Sequence, residues 1–342
     1  MAATVTMSEI GKRAGVTKAT VSYVLNNKAE KMAVSKQTCK KVTKIAQEMG
    51  YATNHIARCF REKKSHTVCM LSSSRNNFYS PLRFGAERLL KETSYLSYLL
   101  DADDIEDLER AIRLFTEHRV DGILLLGHRS HGEEEFFGSV LKRNVPIVFL
   151  HGHYHDSRIP CVEVDNVKGG LLATQHLISL GHRRIAFITG PLHNLEAQQR
   201  YNGYRQALEQ AEISLDSTLV VECGWHHEDG YQALNRLLRE TLPPTAVFCF
   251  SDLIAYGALK AAFEVGVSVP KDISIIGFDD RDYSECSCPA LTTIRQPGEK
   301  IGYEGAKLLV NMLENSEMVV KPVVFEPELI LRDSTRKLTF NA

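Results

Sequence analysis

Short apolar runs alternate with amphipathic stretches from residue 66 to the end of the chain. The runs that predict strands are TVCML, YLSYLL, DGILLLG, PIVFL, CVEVD, RIAFITG, TAVFCF and ISIIGF. Between them, stretches such as EDLERAIRLFTEHR and LEAQQRYNGYRQALEQA repeat apolar residues every three or four positions and predict helices. Near-continuous apolar strands joined by helices are typical of parallel sheets, and about ten strands are too many for one comfortable sheet. The body is therefore predicted to be α/β, with two lobes that each hold a doubly wound parallel sheet.

The first 50 residues have a different pattern, which predicts three short helices. Thr6 and Glu9 have the spacing of a capping box, and Gly15 ends the first helix. Thr17 caps the second helix, and the third begins after Ser35. Two short helices joined by a glycine-containing turn and braced by a third predict a small all-α helix-turn-helix head.

The second of these helices has a largely polar outward face. Its outward positions are Lys18, Ala19, Ser22, Tyr23 and Asn26. Any three-helix bundle can show such spacing. The charge distribution therefore decides between an ordinary helical bundle and a head that binds a polyanion. Residues 1–64 hold 13 Lys and Arg against 4 Asp and Glu, whereas the remainder holds 28 against 38. A basic head on an acidic body indicates that the head binds a polyanion.

Composition narrows the class of protein further. No apolar run is long enough for a transmembrane helix, and the N-terminus lacks the basic and apolar pattern of a secretion signal. The eight cysteines are scattered, with no CxxC pair and no metal-ligand spacing. We therefore expect a cytoplasmic protein with reduced thiols and no bound metal or cofactor.

Ligands of doubly wound sheets bind at the carboxyl ends of strands, where this chain has several polar and aromatic residues. Asp165, Asp252 and Asp279 follow strand runs, and a carboxylate can accept two hydroxyl groups of a polyol. The aromatic candidates, whose rings suit the apolar face of a sugar, are Phe78, Tyr79 and Trp225. An aspartate in this position often caps the next helix instead, as Asp252 is placed to do, and a single Trp often only packs. Asp279 is harder to explain in that way because Asp280 already supplies a turn residue.

The motifs of the head point to a family. TMSEIGKRAGVTKATVSYVLNN, followed by VSKQTCKKVTKIAQEMGYATNHIARCF, resembles the DNA-binding head of the LacI/GalR family of bacterial repressors. The resemblance implies that Lys18 and Ala19 approach base edges in the major groove. The implied phosphate-binding or buttressing residues are Thr20, Ser22 and Asn26, and the capping residues Thr6 and Thr17 are also counted among the DNA-binding residues. It also implies a hinge helix that folds on DNA, with groove-flanking residues Asn54, His55, Ala57, Arg58 and Arg61.

Two departures from the family pattern concern how DNA is read. Tyr23 stands where the family usually has Arg, whose bidentate contact to guanine is the commonest specific contact. We therefore expect the operator to lack the usual guanine at that position. Phe60 stands where the family has a leucine wedge, and Thr53 replaces the usual proline. Because phenylalanine also wedges between base steps, we expect this minor-groove role to survive.

The body resembles the same family through LISLGHRRIAFITGP, SDLIAYGALKA, ISIIGFDD and PALTTIRQP, in that order. The resemblance implies a fold similar to periplasmic sugar-binding proteins, with an effector between the lobes. The implied effector contacts are Phe78, Tyr79, Arg200, Trp225, Asp279 and Gln296, with Asn194 and Glu196 in a loop that tunes effector choice. His151 stands where many sugar-binding members have Asp after the strand PIVFL. We expect His151 and Arg200 to favour a sugar acid or a sugar phosphate.

These observations predict a ligand-controlled transcriptional repressor that binds operator DNA as a homodimer. The predicted domains are a head at 1–51, a hinge helix and linker at 52–65, and a body at 66–342. Within the body, the N-lobe takes about 66–164 and 295–325, and the C-lobe about 165–294 and 326–342. A dimer is expected because the C-terminus shows no leucine-heptad tail like that of tetrameric members.

Two other classes of protein stay open at this point. A solute-binding protein of a sugar transport system would share the body, but the basic head and the missing secretion signal argue against it. An enzyme would need a catalytic motif, and no GxGxxG after a strand, no P-loop and no GxSxG is present. The run HHED at 226–229 could suggest a metal site. Because adjacent histidines point apart on most backbones, we interpret this run as a solvated loop.

Overall fold

The computed structural model describes residues 5–25, 29–51, 59, 63–72, 77–101, 105–127, 133–152, 154, 156, 158–315 and 321–338. Internal contacts divide the chain between Ser65 and His66 into a small helical unit and a larger α/β unit. Within the described residues, no helix combines the length and the apolar character needed to cross a bilayer.

The helical unit contains the three predicted helices: α1 (Met7–Ala14), α2 (Lys18–Leu25) and α3 (Lys36–Glu48). The capping box is confirmed, because the Thr6 backbone N–H donates to Glu9 Oε2 at 2.7 Å and the Glu9 N–H donates to Thr6 Oγ1 at 3.4 Å. Gly15 ends α1 in the left-handed region, with φ 69°. Ile10, Val21 and Val42, one from each helix, are fully buried and form the centre of a common core.

The larger unit contains two six-stranded sheets. Sheet one has the order β11-β5-β4-β3-β1-β2, with strands β1 Thr67–Ser72, β2 Leu96–Asp101, β3 Gly122–Leu126, β4 Ile147–Leu150, β5 Cys161–Val164 and β11 Val323–Phe325. Sheet two has the order β12-β10-β9-β8-β6-β7, with strands β6 Ile185–Thr189, β7 Val220–Glu222, β8 Ala246–Cys249, β9 Ser274–Asp279, β10 Thr292–Arg295 and β12 Glu328–Ile330. Every pairing is parallel except that of β10 with β12.

Helices cover both sheets. The helices beside sheet one are α4 Ser80–Lys91, α5 Ile105–Thr116, α6 Glu133–Arg143 and α11 Gly298–Glu314, and those beside sheet two are α7 Asn166–Ser179, α8 Leu195–Gln210, α9 His227–Leu237 and α10 Asp252–Glu264. We call sheet one with its helices lobe one, and sheet two with its helices lobe two. The predicted fold class, a helical head with a two-lobed α/β body, is confirmed.

The chain passes between the lobes three times. The crossings lie between β5 and α7, between β10 and α11, and between β11 and β12. Gln296 belongs to the second crossing, because β10 ends at Arg295 in sheet two and α11 begins at Gly298 in lobe one. A side chain in a crossing is placed to contact both lobes.

A close helix crossing fixes the position of α8 in lobe two. A Cβ atom added to Gly203 would collide with the Val167 carbonyl of α7, and one added to Gly170 would collide with the Arg200 carbonyl of α8. Glycine at both positions therefore lets the two backbones touch. This crossing sets where α8 holds Glu196 and Arg200.

Candidate effector cleft and DNA-binding surface

Gln296 joins a histidine of lobe one to an aspartate of lobe two. Its Nε2 donates to Asp279 Oδ1 at 2.8 Å, and its Oε1 lies 2.9 Å from His151 Nε2. All three side chains are buried. The opposite orientation of the amide would direct its carbonyl oxygen at the Asp279 carboxylate, so Asp279 fixes which end of Gln296 faces His151.

Glu196 contacts the second ring nitrogen of His151, the one that Gln296 does not contact. His151 follows β4 in lobe one, and its Nδ1 lies 3.0 Å from Oε1 of Glu196, a residue in the first turn of α8 in lobe two. The two side chains are 6% and 13% exposed. Because both side chains have so little solvent contact, this contact is a buried polar link between the lobes.

Arg200, one helical turn after Glu196, is the most enclosed cation of the site. Its guanidinium lies between the rings of Phe278 and Phe250, with centroid distances of 3.7 and 4.4 Å. It donates to the Phe250 carbonyl at 2.7 Å and to Asn166 Oδ1 at 2.8 Å. Its NH1 group also lies 3.7 Å from Asp279 Oδ1, which connects the cation to the same carboxylate that holds Gln296.

Burial dominates the electrostatics of these groups. It lowers the pKa of Arg200, and the Asp279 carboxylate opposes that shift most strongly. Burial likewise raises the pKa of Asp279, and the neighbouring cations, Arg200 first, oppose it. The site is therefore a set of compensating buried charges, in which the loss of one partner leaves another uncompensated.

Aromatic side chains line the same region. Phe78 and Tyr79, in a short 3₁₀ turn before α4, contact each other edge to face at 5.2 Å, and Phe78 contacts the His151 ring at 4.7 Å. Arg281 of lobe two lies over the Phe78 ring at 5.1 Å. Trp225 is 42% exposed and meets the ring of Phe250 edge to face at 5.4 Å. Planar apolar faces beside hydrogen-bonding groups are the surroundings that a hydroxylated ring requires.

Asp252 makes hydrogen bonds that hold neighbouring segments of lobe two together. It is fully buried, and its carboxylate accepts hydrogen bonds from Thr293 Oγ1 at 2.6 Å, Ser284 Oγ at 2.6 Å and the Arg281 N–H at 2.8 Å. The alternative that Asp252 caps the following helix is wrong, because Ser251 is the N-cap of α10. Asp252 instead ties the loop after β9 to sheet two.

Two of the predicted effector residues cap helices. Asp165 accepts the Lys168 N–H at 2.8 Å at the start of α7, and Asn194 accepts the Ala197 N–H at 2.9 Å at the start of α8. Both side chains therefore make hydrogen bonds outside the group of contacts that joins Gln296 to His151 and Asp279. The HHED run is solvated as predicted, with His226, His227 and Glu228 exposed, but it is not a loop, because α9 begins at His227 and His226 is its N-cap.

The predicted DNA-binding residues of the head fall into four groups, of which Thr6, in the capping box of α1, is the first. Lys18 and Ala19 are exposed on α2, and Ser22 and Tyr23 are half-buried there. Thr17 caps α2 by accepting the Thr20 N–H at 3.1 Å, and the hydroxyl groups of Thr17 and Thr20 are 2.9 Å apart. The predicted residues outside the described part of the chain are Asn26, Asn54, His55, Ala57, Arg58, Phe60 and Arg61.

Four residues that contact the predicted site residues were not predicted from the sequence. Phe250 and Phe278, which enclose Arg200, were interpreted only as ends of apolar strands. Asn166 and Arg281 immediately follow Asp165 and Asp280 in the sequence. The rule that strand ends carry ligand residues could have included both, because each comes directly after a strand-end aspartate.

A helix-turn-helix head joined to a two-lobed body with a charged and aromatic cleft defines a class: DNA-binding regulators with a periplasmic-binding-protein-like body. Residues 6–54 match the family described as bacterial regulatory proteins, lacI family, and residues 174–335 match the periplasmic binding protein-like domain. The chain belongs to the LacI family.

Individual relatives agree with this assignment. The chain is 34% identical over 340 residues to the probable HTH-type transcriptional repressor ExuR of Bacillus subtilis (strain 168), covering 98% of this chain and 99% of the relative. It is similar to a lac repressor dimer bound to operator and the anti-inducer ONPF, with a TM-score of 0.81, 26% identity and coverage of 98% and 100%. It is also similar to a LacI family regulator from Enterococcus faecium with bound ribose, with a TM-score of 0.71, 30% identity and coverage of 80% and 100%.

Proposed function

We propose that this chain is a transcriptional repressor that binds operator DNA through α2 and is controlled by a small hydroxylated effector held between lobes one and two. One observation carries the proposal: the Gln296 network links His151 of lobe one to Asp279 of lobe two in a cleft lined by aromatic rings. An effector that binds there changes the relative stability of lobe arrangements. It acts on DNA binding only through its different affinity for those arrangements.

The effector-binding residues that we propose are those the cleft brings together. They are Phe78, Tyr79, His151, Glu196, Arg200, Trp225, Asp279 and Gln296. The ribose-bound regulator from Enterococcus faecium supports a sugar-like ligand. Asp165, Asn194 and Asp252 act by holding α7, α8 and the loop after β9 in place.

The DNA-binding role rests on the head. Lys18 and Ala19 are exposed on α2, and the surrounding residues 1–64 carry the basic excess of the chain. We propose that these two residues reach base edges and that the threonines at the start of α2 position the backbone. The division into a head at 1–51, a hinge at 52–65 and a body at 66–342 is part of this proposal.

We further propose that the repressor is a homodimer without enzymatic activity that acts in the cytoplasm, where its operator DNA lies. The operator-bound lac repressor in the comparison is a dimer. Leu96 and Leu99 on the edge strand β2 are exposed apolar residues that a second copy would cover. A dimer presents two α2 helices to neighbouring half-sites of a near-palindrome, about one DNA turn apart.

Selection from a random duplex library tests the proposal. The purified full chain should enrich a near-palindromic sequence and bind it far more tightly than a scrambled duplex. Its affinity should fall steeply as salt rises, because phosphate contacts release counterions. Lys18→Ala should lower affinity for the selected duplex, while Lys271→Ala, an exposed change in the larger unit, should not. Failure to enrich any sequence would overturn the proposal.

A further inference from the structure

His151 lies between two hydrogen-bond acceptors, one from lobe two and one from the second crossing. Nδ1 faces a carboxylate oxygen of Glu196 at 3.0 Å, and Nε2 faces the carbonyl oxygen of Gln296 at 2.9 Å. Because Asp279 fixes the orientation of the Gln296 amide, neither partner offers a proton to the ring. Both ring nitrogens therefore face hydrogen-bond acceptors, and one of these acceptors is a carboxylate.

The carboxylate that faces the His151 ring is supplied by the chain itself. Glu196 belongs to the first turn of α8, and its carboxylate crosses from lobe two to His151. Asn194, the neighbouring polar residue, already caps the helix and does not compete for the imidazole. A glutamate side chain has several rotatable bonds, and in the first turn it keeps a favourable interaction with the helix dipole when it swings away. Glu196 can therefore leave His151 at moderate cost.

A ligand must preserve the charge balance when it enters the cleft. A neutral sugar that displaced Glu196 would leave the buried Nδ1 of His151 without the carboxylate that now faces it, which is costly. A ligand with its own carboxylate replaces Glu196 one for one, with the same charge and the same planar pair of acceptor oxygens. A phosphate dianion would instead add negative charge close to Asp279, which is already buried.

The remainder of the cleft is suited to hydroxyl groups. Asp279 and Gln296 offer hydrogen-bonding atoms within the same network, and the Phe78 ring lies 4.7 Å from the His151 ring. Trp225 presents a partly exposed ring on the lobe-two side. Building on the proposed function, we infer that the effector is a sugar acid whose carboxylate takes the place of Glu196 on His151.

Calorimetric titration of the full chain tests this inference with matched ligand pairs: D-glucuronate against D-glucose, D-galacturonate against D-galactose, and D-gluconate against D-glucitol. Members of each pair differ mainly in the carboxylate. We expect at least one acid to bind about tenfold or more tightly than its neutral partner. D-Glucose 6-phosphate serves as the dianionic comparison and should bind more weakly than the best acid.

Two variants test the exchange itself. Glu196→Gln removes the internal competitor and should tighten binding of the best acid several-fold, whereas Glu209→Gln, the same change on an exposed part of α8, should leave it unchanged. His151→Asn should abolish the preference for the acid over its neutral partner. Thermal unfolding without ligand verifies that each variant is folded.

Several results would overturn the inference. The first is tighter binding of the neutral sugars or of the phosphate, and the second is no binding by any of the acids. The third is weaker acid binding by Glu196→Gln, because that result would make Glu196 a direct ligand of the effector. The proposed function is judged separately. Selective DNA binding that a neutral sugar modulates would sustain it while refuting the sugar acid, whereas absence of selective DNA binding would refute the proposed function itself.

Discussion

His151 Nδ1 lies 3.0 Å from Glu196 Oε1, although the two residues belong to different lobes. His151 adopts a left-handed backbone conformation, with φ 54°, directly after β4. This conformation is uncommon for residues other than glycine, although histidine, like asparagine and aspartate, adopts it more readily than most. Strained backbone of this kind persists where the surroundings hold it, and here the surroundings are the hydrogen bonds that join the lobes.

The first prediction concerns the buried carboxylate of Asp279. Asp279→Asn keeps the shape of the side chain but removes the negative charge that compensates Arg200. We expect the free energy of unfolding to fall by about 3 kcal/mol, because a buried guanidinium loses its partner. Urea unfolding measures the change. Asp282→Asn, an exposed change nearby, should have no measurable effect, and equal effects of the two variants would contradict the prediction.

The second prediction concerns the crossing of α7 and α8. In Gly203→Ala, the new methyl group would collide with the Val167 carbonyl and the Leu171 backbone nitrogen. We expect a loss of about 2 kcal/mol in stability and weaker effector binding, because the helices must separate and α8 carries Glu196 and Arg200. Gly138→Ala in α6 is the control. A Cβ there has no neighbour within 4 Å, so that variant should be neutral or slightly stabilised.

The third prediction concerns base reading by α2. Tyr23→Arg places a guanidinium at a half-buried position on the face of α2 that we propose reads DNA. The selected operator should shift toward guanine at one position per half-site, with a discrimination of about tenfold or more. Binding to duplexes with single base changes measures this shift. Lys44→Arg, on an exposed position of α3, should leave the preferred sequence unaltered. An unchanged preference in Tyr23→Arg would remove Tyr23 from the reading face.

The fourth prediction concerns acid sensitivity of the C-terminal segment. His182 lies 3.0 Å from the hydroxyl groups of Thr245 and Ser274, and His176 lies 2.9 Å from that of Thr335. Burial lowers the pKa of both histidines. Below about pH 6.5 the unfolded chain therefore binds more protons than the folded chain, and stability falls as the pH decreases.

Thermal unfolding between pH 7.5 and 5.5 measures this dependence. His176→Gln can keep a hydrogen bond to Thr335 but cannot take up a proton, so its Tm should fall less steeply below pH 6.5 than that of the parent. His193→Gln, which alters an exposed histidine, should follow the parent curve. A parent protein with constant stability over this range would refute the prediction.

The strands with long apolar runs could be predicted because they are buried in the middle of each sheet, as β3 and β9 are. The runs VVE, VVF and ELI, which form β7, β11 and β12, did not stand out as strands because each has only three residues. Such strands are specified by the neighbour they pair with rather than by their own composition.

The features of the candidate site likewise divide into those that the sequence could predict and those that it could not. Strand-end residues such as His151 and Asp279 could be named from the sequence because parallel strands bring their carboxyl ends together. The pairing of these residues with one another could not be predicted, because the contact between Glu196 and His151 depends on how two separate lobes meet. Capping was an open alternative for each aspartate that follows a strand, but the sequence could not decide it for Asp165 or for Asn194, since the same residue types serve as helix caps and as hydroxyl ligands.

The most direct test of ligand control measures coupling in both directions. Operator affinity of the full chain is measured by fluorescence anisotropy with and without a saturating effector from the titrations, and effector affinity is measured with and without operator. Thermodynamic linkage requires the two factors to be equal, and we predict a common factor of about 5 to 150. A factor of one, with both ligands bound, would contradict control of DNA binding by the cleft.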